Sequence, residues 1–122
     1  MNLNFQSETP IYQQIADELE SAIISGAYGE ESQVPSTTEI SVQYKINPAT
    51  VLKGIGLLVD DGILYKRRGL GMFVATGAKE KVMDKRKHVF FDHFVLPLVT
   101  EAKKLSVTKE EIHEMIMRGY EK

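Results

Sequence analysis

The stretch STTEISVQYKINPATVLKGIGLLVDDG, residues 36–62, holds two helix starts eleven positions apart. Ser36-Thr37-Thr38-Glu39 has the form of a capping box, in which the serine hydroxyl accepts the backbone N–H of Glu39 and the glutamate reaches back. A short helix is expected to follow, burying Ile40 and either Val42 or Tyr44. Asn47-Pro48 repeats the signal, since Asn is a good N-cap and Pro suits the first helical position, where an N–H would have no partner. The helix that begins there carries Val51, Leu52, Ile55, Leu58 and Val59 as its apolar side, and Gly62 is placed to end it. Two helices joined by about four residues, Tyr44 to Asn47, have the spacing of a helix-turn-helix.

Working outward, Thr9-Pro10 reads as the cap and first residue of an earlier helix. Tyr12, Ile15, Leu19, Ala22 and Ile23 form its apolar stripe, and Gly26 its end. Ala27 to Gln33 reads as a turn-rich connection, and Val34-Pro35 as extended. On the other side, the β-prone runs 63–68 and 72–75 flank Gly69-Leu70-Gly71, the pattern of a hairpin. Beside a helix-turn-helix, such a hairpin is a wing. From about Lys79 to Leu105 the pattern is helical, with Pro97 expected to kink or break it. Thr108-Lys109-Glu110-Glu111 is another capping box, and Ile112, Met115 and Ile116 give the face of a last helix that Gly119 should end. The expected fold is mainly α with a small β-hairpin: a winged helix-turn-helix over residues 1–76 and a C-terminal helical tail over 77–122.

The net charge is −2, but it is unevenly spread. Residues 1–35 hold six acids and no Lys or Arg, whereas residues 36–76 and 77–122 each carry a net +2. The middle therefore offers a local positive face on an acidic protein, suited to placed contacts with DNA rather than bulk attraction. A mixed, solvated surface is the alternative.

Several segments then fall in a recognisable order: Pro10-Ile-Tyr-Gln-Gln-Ile15, Val34-Pro35-Ser36, Asn47-Pro48-Ala49-Thr50-Val51, Asp61-Gly62-Ile63-Leu64 and Gly69-Leu70-Gly71-Met72-Phe73-Val74. Together they resemble the N-terminal winged helix-turn-helix of GntR-family bacterial transcription regulators, over residues 10–75. The 47 residues after Ala75 are too few for the effector domain most of that family carry. The two-helix tail resembles instead the short YtrA subfamily. That resemblance implies a tail that dimerises and a repressor of a local operon, commonly one for an ABC transporter or envelope stress.

A recognition helix sets its N-terminal residues against base edges. Here these are Asn47, Pro48, Ala49, Thr50 and Lys53, with Thr50 and Lys53 able to reach a phosphate or a base. Ser36, Thr37 and Thr38 begin the preceding helix, whose free N–H groups favour a phosphate. The wing adds Arg67 and Arg68, with Gly69 and Gly71 letting backbone approach the duplex. Each has a plainer alternative: Ser36 and Thr50 as capping residues, Lys53 as a solvated side chain, and Lys66-Arg67-Arg68 as protection of an edge strand. The chain also departs from the family. Thr38 and Leu52 stand where many relatives have arginine, and Gly54 and Gly56 cost a helix interior about 1 kcal/mol each relative to alanine. Sequence reading is therefore expected to be weaker or to lean on the wing, with a softer free recognition helix.

In the tail, Phe90, Phe91, Phe94, Val95 and Leu98 are more apolar surface than two helices can cover. A homodimer would bury them and space two recognition helices for an inverted repeat in double-stranded DNA. Packing on the first helix is the alternative, and Lys79, Lys81, Lys85, Arg86 and Lys87 read either as a solvated face or as phosphate contacts. A winged helix that binds protein, with degenerate DNA reading, is the rival function.

Other classes are disfavoured. The absence of cysteine excludes disulfides, a thiolate nucleophile and cysteine-ligated metal. His88, His93 and His113 lack metal-ligand spacing, and Ser36 and Ser41 have no positioned base. No enzyme activity, metal or cofactor is expected, and whether a small-molecule effector exists is left open. The polar segment Met1 to Glu8 and the lack of a long apolar run predict no signal peptide, no membrane association and a cytoplasmic location.

Overall fold

The computed structural model describes residues 1–122. Its elements are α1 (Ile11–Ser25), α2 (Thr37–Tyr44), α3 (Pro48–Asp60), β1 (Leu64–Arg67), β2 (Gly71–Val74), α4 (Ala78–Phe90), a π-helical turn (Phe91–Val95), α5 (Leu96–Lys104) and α6 (Lys109–Tyr120). They form two compact units, Met1–Asp84 and Lys85–Lys122. The architecture is the mainly helical one with a small hairpin that the sequence leads one to expect, and no helix is long and apolar enough to cross a membrane.

In the first unit, Ile15, Leu19, Ile23, Ile40, Val51, Ile55, Leu58, Ile63, Leu64, Val74 and Val82 join in one core cluster. Burying such a side chain contributes about 1.5–3 kcal/mol each, which is what holds three short helices to a hairpin. The first helix begins one residue later than Thr9-Pro10 suggests. Pro10 is its cap, with extended φ and ψ of −56° and 146°, and the Pro10 carbonyl accepts the N–H groups of Gln13 and Gln14. The Thr9 carbonyl accepts instead from the Gln14 side chain at 2.8 Å. Tyr12 and Ala22 of the expected stripe are only half-buried. Gly26 ends α1 in the left-handed conformation.

The buried side of α3 is Val51, Gly54, Ile55 and Leu58. Leu52 and Val59, expected inside, are exposed, Leu52 by 61%. The reason is angular: Val51, Ile55 and Leu58 set the inward stripe, and Leu52 and Val59 each lie one residue on, about 100° round the helix. Val42 is exposed too, leaving Ile40 as the buried residue of α2 and Tyr44 half-buried. Gly54 sits where α3 meets α1: a Cβ there would lie 2.6 Å from the Tyr12 carbonyl oxygen. The residue that reads as a helix weakener is thus what lets two backbones close. Gly56 has nothing within 4 Å and no such role.

The hairpin pairs Leu64 with Val74 through Arg67 with Gly71. Residues 31–34 lie along the other edge of β2, with Gln33 bridging Phe73 and the Val34 N–H donating to the Met72 carbonyl at 3.0 Å. Ala78 and Val82 are fully buried in the core cluster, so the first turns of α4 belong to this unit and its limit lies past residue 76, at Asp84.

The second unit has almost no core, Ala102 being its single buried residue. Pro97 falls in the first turn of α5, directly after the π-helical turn, where the Leu96 N–H reaches back five residues to the Phe91 carbonyl. Proline lacks an N–H and crowds the carbonyl four residues before it; widening the preceding turn accommodates both defects. Thr108 and Glu111 form the expected capping box, at 3.1 and 3.0 Å. The Thr108 N–H and hydroxyl hold the Glu111 carboxyl below its ordinary range. Gly119 lies inside α6, which runs on to Tyr120, rather than ending it. The Phe90 and Phe94 rings sit 5.5 Å apart. Both are exposed, Phe94 by 65%, as are Phe91 and Leu98, while Val95 is half-buried.

Candidate nucleic-acid interface

The turn between α2 and α3 fixes the site. Lys45 adopts the left-handed conformation at φ 56°, which drops Ile46 into the core. The Ser41 hydroxyl donates to the Ile46 carbonyl at 2.6 Å, and the Ile46 N–H donates to the Ser41 carbonyl at 3.0 Å. Asn47 then caps α3, its side-chain oxygen accepting the Ala49 N–H at 2.8 Å. Its amide nitrogen remains a donor. Asn47, Pro48 and Ala49 are exposed and Thr50 half-buried. From Ile40 to Val59 there is no acidic residue, and Lys45 and Lys53 are the charged groups. The start of α3 therefore meets solvent with the positive end of its dipole and no carboxylate close in sequence.

Lys53 is not extended into solvent. Its ammonium lies 4.1 Å from the centre of the Tyr12 ring, a cation–π contact that draws it back over α1. At the start of α2 the capping box is complete: the Ser36 hydroxyl accepts the Glu39 N–H at 3.0 Å, and the Ser36 N–H donates to the Glu39 carboxylate at 3.1 Å. Ser36 is thus occupied as a cap. The N–H groups of Thr37 and Thr38, in the first turn, are the ones a phosphate could meet.

The two wing arginines separate sharply. Arg67 is held by Glu31 at 3.1 Å, donates through Nε to the Tyr65 hydroxyl at 3.2 Å, and stacks over Phe73 at 4.3 Å. Arg68 is exposed in the loop beyond it, with no hydrogen bond or ion pair. The loop turns through Gly69 at φ 78°, closed by the Leu70 N–H to the Arg67 carbonyl at 2.9 Å. Gly71 has an internal reason: its φ is 122°, and a Cβ would lie 2.8 Å from the Gln33 amide nitrogen, which itself donates to the Leu70 carbonyl at 2.6 Å. Lys81 donates to the Gly62 carbonyl at 3.3 Å, at the end of α3.

Glu31 escaped sequence reading. It holds a left-handed backbone at φ 64° and gathers the base of the wing. Its carboxylate accepts from the Tyr65 hydroxyl, from Thr76 at 2.7 Å and from Arg67. The Tyr65 hydroxyl first, then Thr76, then the Arg67 charge hold the Glu31 carboxyl below its ordinary range. Its partners lie 34 to 45 residues away, beyond any local pattern; a surplus acid in a turn-rich loop was the only available hint.

Comparison with known proteins agrees in extent with this geometry. The profile of the bacterial regulatory proteins of the gntR family matches residues 11–74, from α1 through β2. The uncharacterized HTH-type transcriptional regulator YhcF of Bacillus subtilis (strain 168) is 34% identical over 116 residues, 95% of this chain and 94% of its own length. The HTH-type transcriptional repressor YtrA of the same organism is 29% identical over 111 residues, 91% of this chain and 85% of its own. The crystal structure of AraR(DBD) in complex with operator ORX1 matches with a TM-score of 0.55 and 34% identity, over 62% of this chain and 93% of that one.

Proposed function

The chain belongs to the gntR family of bacterial regulatory proteins, and on that premise we propose that it is a homodimeric repressor that binds an inverted-repeat operator in double-stranded DNA and silences a local operon, such as one for a transporter. The observation that carries this reading is the start of α3: an Asn47-capped, acid-free helix end standing free of the core. In the major groove, Asn47, Ala49 and Thr50 face base edges, and Lys53 leaves the Tyr12 ring for a phosphate. Thr37 and Thr38 offer backbone N–H groups to the sugar–phosphate chain, and Arg68 carries the wing contact while Arg67 braces the hairpin from behind. The operator complex of AraR(DBD) and the repressor YtrA support the reading by analogy.

The exposed Phe90, Phe91, Phe94 and Leu98 support a second copy as the tail's partner. Two-fold pairing would present two α3 helices to half-sites about 34 Å apart, one turn of duplex. Repression then needs no chemistry, only occupancy, and the cytoplasm is where it would occur.

The test is a titration of the full chain against its own upstream region at several salt concentrations, with sedimentation to give the assembly state. Affinity should fall with salt at a log–log slope of about −0.9 per phosphate neutralised. Arg68→Ala should weaken binding at least as much as Lys53→Ala, because Lys53 must first give up the Tyr12 ring. A salt-independent affinity, or a monomer on DNA, would defeat the reading.

A further inference from the structure

Ala49, Leu52, Lys53 and Gly56 share one face of α3, at i, i+3, i+4 and i+7. Within the first unit the contact this face makes is that of Lys53 with the Tyr12 ring, while Ala49 and Leu52 stand exposed. Leu52 is 61% exposed, Lys53 is drawn aside over Tyr12, and Gly56 leaves bare backbone with open space where a Cβ would stand. The middle of the helix therefore presents one branched apolar side chain, between the methyl of Ala49 and a glycine. The strip is one residue wide. A stable protein–protein contact needs about 800 Å² from each partner. A base edge needs far less, and the charges nearest in sequence, Lys45 and Lys53, suit a polyanion.

On the major-groove edges of the base pairs, the apolar group is the C5 methyl of thymine. We propose that Leu52 is a specificity-determining residue that packs on the C5 methyl of thymine in each half-site, while Gly56 lets α3 settle against the groove. This rests on the DNA-binding reading above and deepens it. An arginine at position 52 would donate two hydrogen bonds to guanine; leucine can donate none, so it selects by methyl contact and by refusing to satisfy a guanine it buries.

The experiment uses the full chain and a pool of duplexes with a randomised 20-base-pair core, enriched by repeated capture. The recovered consensus is resynthesised with deoxyuridine in place of each thymine in turn, which removes the methyl and keeps the pairing. At one or two positions per half-site, deoxyuridine should weaken wild-type binding about three- to tenfold. Leu52→Ala, an exposed change, should bring that ratio to about one, and Leu52→Arg should shift enrichment from thymine toward guanine. Wild-type affinity indifferent to every thymine methyl, or a ratio that survives Leu52→Ala, would overturn the assignment of Leu52 and leave DNA binding intact. No enriched duplex at all would overturn the DNA-binding reading and this inference together.

Discussion

Met1–Asp84 and Lys85–Lys122 are both built from short, well-signalled helices, yet one closes a core and the other does not. In the first, Ile15, Ile40 and Leu58 find one another across three helices. In the second, capping at Thr108 and the turn before Pro97 are as well formed as anything in the first, but the phenylalanines stay in solvent. Local signals specify helices; they do not specify what covers them. Isolated helices shorter than about 12–15 residues are marginal in water. The second unit is thus a half-core, and the homodimer proposed above is the completion that its surface supports.

The sharpest test of this contrast is truncation at matched positions. Leu58→Ala should cost about 2–5 kcal/mol in urea unfolding followed by a probe of the first unit, since it empties a fully buried site. Phe94→Ala should leave that transition nearly unchanged and lower the concentration-dependent stability of the assembly, measured by sedimentation across a dilution series. Equal losses from both would break the contrast.

Next in size is a pair within α3. Gly54→Ala should destabilise by about 1–3 kcal/mol because its Cβ would strike the Tyr12 carbonyl oxygen. Gly56→Ala should stabilise by about 0.5–1 kcal/mol, having open space and a helix to gain. Chemical denaturation of both variants reads the difference, and a stabilised Gly54→Ala would remove the close-approach argument.

The smallest effect concerns Glu31. Its carboxyl lies below an ordinary value of 4.5, so its contribution is present above that value and is lost as pH falls through the folded one. Amide exchange at Tyr65 and Thr76 should accelerate, relative to α1, on acidification below about pH 4.5, and Glu31→Gln should show the faster exchange already at neutral pH. An unchanged acid profile in Glu31→Gln would mean that the wing base is held by other groups.

These pairs also mark what could be read from the chain. Ser36 with Glu39, Asn47 with Pro48, and Thr108 with Glu111 announce themselves because a cap and its donor lie within three residues. The glycine turn of the wing does so for the same reason. Gly54 and Gly56 look alike in sequence and differ only by what lies across the helix. Leu52 and Val59 read as core because the stripe of α3 could be drawn through either neighbour; packing against α1 chose. Arg67 and Arg68 are adjacent cations, and only the distant Glu31 makes one a brace and leaves the other free.

The π-helical turn at Phe91–Val95 has a consequence for insertion and deletion. A turn of this kind adds about one residue to the helical count, and each residue is worth about 100° of rotation. Losing a single residue there would not shorten α5 so much as spin it by nearly a third of a circle, carrying Leu98 and Ala102 away from the side on which they now stand. Among homologous tails, matched hydrophobic letters on either side of Pro97 would describe the same surface only where this extra residue is kept.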